Sequence, residues 1–315
     1  MKSIVLIVPY LGKWPLWFDA HLVSIARNPT INWLFITDCK IPDHYPENVR
    51  FIHTTSEALN FKINECLNIQ VPLSPRKLCD IRPAYGKVFQ EYILDYDFWG
   101  FCDVDIIWGN IRKFLTKEML LENDIISSRK NTLSGHFTVL RNSLEVNSLY
   151  MSIPNYLEML SIEPLMRIDE EAFTLHLKNL ETQSKFKIWW EAYLMNNVDG
   201  KAHQEYYLDK WLWKEGKMLE LKDGPPIDEV MYLHFINWKR TMKYCEVNYK
   251  DNPKQFYISY SGIHYKTHSV FIKMCNRVKN LFDGYSVQQN IRIKKLKFRS
   301  LIKRIKRKIR STFYK

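Results

Sequence analysis

The chain has 315 residues, 46% of them hydrophobic, enough to bury one large core with a smaller appendage. Its formal net charge is +12, but twelve of the 46 bases and no acid lie in residues 291–315, so residues 1–290 carry 34 bases against 34 acids. A neutral body with a basic end argues against a nucleic-acid-binding protein, and no apolar run approaches the ~20 residues of a membrane span.

Met1–Val8 stops at Pro9 without a small-residue cleavage site, so it reads as a first strand and not as a signal peptide. Ser3–Val8 is a continuous apolar run, the mark of a strand covered on both faces. After a loop through Gly12, the spacing of Trp14, Trp17, Phe18, His21, Leu22 and Ile25 predicts a helix over 14–27, stopped by Asn28-Pro29. Ile31–Thr37, ending at Asp38, and Val49–His53 read as strands. Thr54 to Glu57 starts a helix that buries Leu59, Ile63, Cys66 and Leu67. This alternation predicts an α/β fold with a mixed, mostly parallel sheet and right-handed crossovers.

Residues 74–89 lead through a further helix to Phe98–Cys102, a buried strand that ends in Asp103-Val104-Asp105. Alternate strand residues share a face, so both acids point the same way from the carboxyl end, where open α/β sheets bind ligands. Two oxygen ligands there suit Mg²⁺ or Mn²⁺ with a substrate's phosphates. Two solvated acids in a turn are the plainer reading, but a solvated turn does not need the apolar walls on either side.

Beyond it, 111–121 reads as a helix, 124–127 as a short strand, and Ser134–Asn142 as a strand entered through Gly135. Asp169-Glu170-Glu171 opens a helix with acids on its first turn, where the helix dipole favours them. His203–Gly216 is expected to be an aromatic-rich helix and Met231–Phe235 a late strand. From Phe298, the residues Leu301, Ile302, Ile305, Ile309 and Phe313 recur at three- and four-residue steps among bases. Such a basic amphipathic helix lies in the headgroup plane of anionic membranes; a solvated tail and an RNA-binding arm are the alternatives. The six cysteines show no C-x-x-C and no ladder of spacings, as expected of reduced thiols in a cytoplasm.

Four segments in this order carry a family likeness: Val8 to Pro15, Lys77 to Gly86, Phe98 to Asp105, and Gly135-His136-Phe137. The chain resembles the GT-A class of nucleotide-sugar glycosyltransferases, and more closely a bacterial family found with surface-polysaccharide (capsule or lipopolysaccharide) synthesis. The resemblance implies a Rossmann-like catalytic domain over 1–240, an extension over 241–290 packed on it, and the helical tail 291–315. It implies that Asp103 and Asp105 hold Mn²⁺ or Mg²⁺ across the diphosphate of a donor, with UDP the expected nucleotide, and that His234 is a third ligand. Lys77, Asp80 and Arg82 match a block that touches the donor's sugar and phosphates, although Arg82 stands two positions after Asp80 where other families often have three. Tyr10 and Gly12 match a loop lying against the nucleobase and ribose.

Asp169 and Glu170 match acids that take the acceptor's proton if the anomeric centre inverts, or that hold sugar hydroxyls if it is retained. Asp38 is a candidate base contact and His136 a candidate pocket residue, each with a structural alternative as a turn residue or a satisfied histidine. His234 also reads as a core histidine. The implied acceptor is a glycan or lipid-linked glycan, with the enzyme on the inner face of the cell membrane through 291–315 and no nucleic-acid partner. A metal-dependent phosphohydrolase also ends a strand in Asp-x-Asp, but there the motif is usually on the first strand and is followed by a Thr.

Overall fold

The computed structural model describes residues 1–190, 211–221, 228–235, 238–283, 291, 294–295 and 297–302. Its main sheet has seven strands: β1 (Ile4–Tyr10), β2 (Ile31–Thr37), β3 (Val49–His53), β4 (Phe98–Cys102), β6 (Ile125–Ser127), β7 (Phe137–Arg141) and β8 (Ile188–Trp190), while β5 (Ile106–Trp108) lies outside it. The order is β3-β2-β1-β4-β7-β6-β8. The first four run parallel, β7 is antiparallel to both β4 and β6, and β8 is parallel to β6. The expected mixed, parallel-rich α/β sheet is the one that forms.

Both faces of that sheet are covered, which is why its central strands carry unbroken apolar runs. On one side Val5, Ile7, Trp99 and Phe101 pack with Leu59, Ile63 and Leu67 of α2 (Ser56–Leu67). On the other, Ile4, Leu6, Val8, Phe98 and Cys102 meet Phe18, Leu22 and Ile25 of α1 (Phe18–Ala26). Each large side chain so buried stabilises the fold by roughly 1.5–3 kcal/mol before chain entropy is counted.

A second sheet contains β9 (Trp211–Lys214), β10 (Lys217–Glu220), β11 (Asp228–Val230), β13 (Tyr244–Cys245), β14 (Gln255–Ile258) and β15 (Gly262–His264), in the order β11-β10-β9-β14-β15-β13. Strands from both sides of residue 240 therefore share it. Between the two sheets, β12 (Tyr232–His234) pairs antiparallel with β5.

Local structure departs from expectation in four places. Residues 203–210 lie outside the described residues, but 211–214 form a strand and not the end of a helix. Trp211 and Trp213 are buried on one face while Leu212 and Lys214 turn away, a period of two; the turn to β10 is closed by Glu215 and Gly216, both at positive φ. The first helix starts at Phe18, four residues later than its periodicity suggests. Residues 111–121 split into helical turns at Ile111–Phe114 and Lys117–Glu122, the second capped by Thr116. Asp169-Glu170-Glu171 form a turn ahead of α3 (Ala172–Thr182) and do not lie on its first turn. Residues 297–302 of the tail are helical, whereas Ile305, Ile309 and Phe313 lie outside the described residues. No helix among the described residues is long and apolar enough to cross a membrane.

Candidate functional site

The carboxyl ends of β1 and β4 open on a cavity of about 520 Å³, lined by Tyr10, Leu11, Trp17, Arg76, Arg82, Asp103, Asp105 and Lys239 among others. Its floor is built locally. The Asp103 N–H donates to the carbonyl of His136 at 3.1 Å, tying the end of β4 to β7. Trp17 Nε1 donates to the Val104 carbonyl at 2.9 Å, and His21 Nδ1 lies 2.6 Å from the Ile106 carbonyl. Burial lowers the pKa of His21 to about 4, so near neutral pH its ring is uncharged and Nδ1–H is the donor. Both side chains come from the α1 region, so that stretch anchors the Asp-x-Asp turn on either side.

The β5–β12 ribbon then brings in a third residue. Its register sets His234 opposite Ile106, and the Phe235 N–H donates to the Asp105 carbonyl at 2.8 Å. His234 Nε2 ends 3.2 Å from Asp105 Oδ1 and 3.7 Å from Asp103 Oδ2. One ligand atom from each of the three lies within 4.8 Å of the others. Two carboxylates and an imidazole form a donor set that Mn²⁺ accepts readily and Mg²⁺ through its oxygens, so these residues fit a divalent ion. His234 Nδ1 is buried without a hydrogen-bond partner among the described residues.

Two cations balance the two acids. Arg82 Nη2 lies 2.5 Å from Asp103 Oδ1, and Lys239 Nζ lies 2.5 Å from Asp105 Oδ2. Burial alone would raise the pKa of Asp105, but His234 and Lys239 hold it well below the usual carboxylate range. Arg82 Nη1 also reaches Asp169 Oδ2 at 2.8 Å, so one guanidinium bridges Asp103 and the acid before α3. Asp169 is 2% exposed, and burial raises its pKa to about 6 even against the pull of Arg82. Glu170 pairs with Arg129 at 3.1 Å and with Arg167. Gly135 makes this crowding possible: a Cβ there would fall 2.9 Å from Arg82 Nη1 and 2.9 Å from Asp169 Oδ2.

Among the residues singled out in the sequence, Asp103, Asp105 and His234 converge, and Tyr10 and Arg82 line the same cavity. Others stand elsewhere. Lys77 and Asp80 are fully buried and do not line the cavity; Lys77 Nζ pairs with Asp80 Oδ2 at 2.9 Å, and Asp80 accepts the N–H groups of Met166 at 2.9 Å and Ile168 at 3.0 Å. They pin the 164–169 loop that carries Asp169, because a buried carboxylate needs every acceptor site filled. Asp38 is exposed and accepts the Gly12 N–H at 2.7 Å, tying together the loops after β1 and β2. His136 lies behind the site, stacked on the His234 ring with centroids 4.1 Å apart and bonded to the Tyr232 hydroxyl at 2.8 Å. Burial holds its pKa well below the usual histidine value. Sequence reasoning missed Lys239, which stands beside Arg240 five residues after His234, so that nothing local sets it apart from an ordinary surface pair of bases.

A sequence family described as a family of unknown function (DUF6625) matches residues 6–267. No functionally curated protein matches the chain. Among solved structures, the chain is similar to the galactosyltransferase LgtC bound to donor and acceptor sugar analogues, at 11% identity and a TM-score of 0.40, over 74% of this chain and 87% of that one. It is also similar to the glycosyltransferase GlyE of Streptococcus pneumoniae TIGR4, at 12% identity and a TM-score of 0.37, over 75% of this chain and 55% of that one. A third is mouse xyloside xylosyltransferase 1, at 10% identity and a TM-score of 0.38, over 60% of this chain and 85% of that one.

Proposed function

The chain belongs to the DUF6625 family, whose description names no chemistry, and from the site itself we propose that it is a metal-dependent glycosyltransferase using a nucleotide-sugar, with UDP as the nucleotide. The observation that carries this reading is the meeting of Asp103, Asp105 and His234 at the mouth of a cavity that also presents Arg82, Arg76 and Lys239. Acids able to hold an ion, set beside cations that a bound ion would release from those acids, suit a ligand that is itself polyanionic. A diphosphate is such a ligand; a neutral sugar alone is not.

In this reading Asp103, Asp105 and His234 hold Mn²⁺ or Mg²⁺. When bound, that ion supplies counter-charge to the leaving nucleoside diphosphate. Lys239 and Arg82 donate to phosphate oxygens, the planar guanidinium being suited to two at once. Tyr10 and the Gly12 loop, braced by Asp38, form the wall for base and ribose. Lys77 and Asp80 act at a distance, through the loop they hold. Asp169, with a pKa near 6, is the better-matched of the two acids to accept a proton from the acceptor hydroxyl in an inverting reaction. Glu170, neutralised by Arg129 and Arg167, suits a hydrogen-bonding role. The acceptor is a glycan or a lipid-linked glycan of the bacterial surface, reached at the inner face of the membrane with the help of the basic tail. As domains, 1–240 carries the donor site, 241–290 is joined to it through the shared second sheet, and 291–315 is that tail.

The test is calorimetric titration of UDP in the presence of Mn²⁺, repeated with EDTA and with Asp103→Asn and Asp105→Asn. Binding should need the metal and both acids, with the variants still folded by circular dichroism. Metal-independent binding, or release of phosphate from simple phosphomonoesters, would overturn the proposal. A nucleotide-sugar panel scored for metal-dependent hydrolysis then identifies the donor.

A further inference from the structure

The helix α4 (Val270–Asp283) turns its amphipathicity the wrong way round for a globular protein. Its covered residues are mostly polar: Asn276 is 2% exposed, and Lys273, Asn280 and Cys275 are half-buried. Its large apolar residues are mostly uncovered: Val270, Phe271, Met274, Val278, Leu281 and Phe282 are between 47% and 85% exposed, and Ile272, outside their arc, is 42% exposed. At about 100° per residue these six fall within one arc of roughly 120°, the stripe that a surface helix normally turns to the core. Six large side chains left in water on one face mark a surface that something else covers.

Charge says what covers it. The exposed Arg277 stands at one margin of the arc and the exposed Lys279 about 60° beyond the other, and the chain that follows adds twelve bases and no acid over residues 291–315. A second copy seated on this face would bring two such tails together, at a large electrostatic cost. An anionic bilayer has the matching pattern: apolar beneath, negative at the headgroups. We infer that α4 lies flat in an anionic lipid surface, its apolar stripe among the acyl chains and its flanking cations at the headgroups. At 14 residues it is about 21 Å long, so it lies along the surface and does not cross it. This deepens the membrane part of the proposed function, moving the apolar contact from the tail to the helix that leads into it.

The test is sedimentation of the full chain with vesicles, an assay that does not depend on sugar transfer, so either proposal can fail alone. The parent should bind phosphatidylcholine vesicles that contain phosphatidylglycerol, release as salt rises, and ignore vesicles of phosphatidylcholine alone. The triple variant Phe271→Ser, Leu281→Ser, Phe282→Ser should partition at least roughly tenfold more weakly with unchanged thermal unfolding, since all three side chains are exposed. Three outcomes overturn the inference. One is vesicle binding that the triple variant keeps. Another is a parent dimer that the variant loses, which would seat a second copy on the stripe. The last is a loss of thermal stability in the variant, which would mean that the stripe packs within the protein.

Discussion

Replacing Lys239 with Met should push metal affinity and nucleotide affinity in opposite directions. The Lys239 ammonium is 2.5 Å from an oxygen of Asp105, a carboxylate that is itself buried, and a divalent ion must share that carboxylate with it. Bare Coulomb attraction at this range would be several kcal/mol, but the Lys239 side chain is 45% exposed and water screens it. A value of about 1 kcal/mol is therefore the appropriate scale, so Lys239→Met should bind Mn²⁺ alone roughly fivefold more tightly. Nucleotide behaves oppositely. With Mn²⁺ saturating, the variant lacks one charge-assisted hydrogen bond to the diphosphate, about 1.5–3 kcal/mol, and UDP should bind roughly ten- to a hundredfold more weakly. Two calorimetric titrations on one protein preparation, Mn²⁺ into the apoprotein and UDP into the manganese-loaded form, read both numbers. If Mn²⁺ affinity is unchanged or falls in the folded variant, Lys239 does not compete for Asp105 and the charge-balance argument is refuted.

Asp80→Ala should cost roughly 3–5 kcal/mol in denaturant unfolding, because it strands the fully buried Lys77 ammonium and frees two backbone donors. A loss below about 1 kcal/mol would show that the pair is solvated. The raised pKa of Asp169 has the opposite sign to an ordinary ion-paired acid: its folded form holds the proton more tightly, so its contribution is fully present below about pH 4 and is lost as pH rises through about 6. The difference in unfolding free energy between the parent and Asp169→Asn should therefore shift against the parent by roughly 3 kcal/mol across that window, and a flat difference would contradict the burial argument. Gly135→Ala should push Arg82 and Asp169 apart, lowering stability by about 1–3 kcal/mol and weakening UDP binding with Mn²⁺ present; calorimetry showing parent-like affinity would mean that the guanidinium does not depend on that close approach.

What was legible in the sequence was whatever depends on neighbours along the chain. β1, β2 and β4 announce themselves because strands buried on both faces must be apolar throughout, and Asp103 and Asp105 stand out because they follow directly on the carboxyl end of such a strand, where open α/β sheets bind ligands. Periodicity failed where aromatic density drowned it: Trp211 and Trp213 stand two apart, a strand spacing, within a run rich enough in large side chains to mimic a helix. Long-range register was beyond reach of any such reading. His234 comes to meet Asp103 and Asp105 only because β12 pairs with β5 at Ile106, more than a hundred positions earlier, and a slip of one residue would turn its ring to the opposite face. Burial was equally hidden. The resemblance implies a donor contact for Lys77 and Asp80, the local sequence offers Asp80 a cap or Arg76 as partner, and nothing local says that the 164–169 loop closes over the two. That closure makes the site an assembly: the loop they pin presents Asp169, Asp169 and Asp103 hold Arg82 from two sides, and Gly135 leaves the room in which they meet. A substitution remote from the cavity can thus reach its lining through charge placement alone, which is why the buried pair and the lining cations should be probed together and not as separate problems of stability and binding.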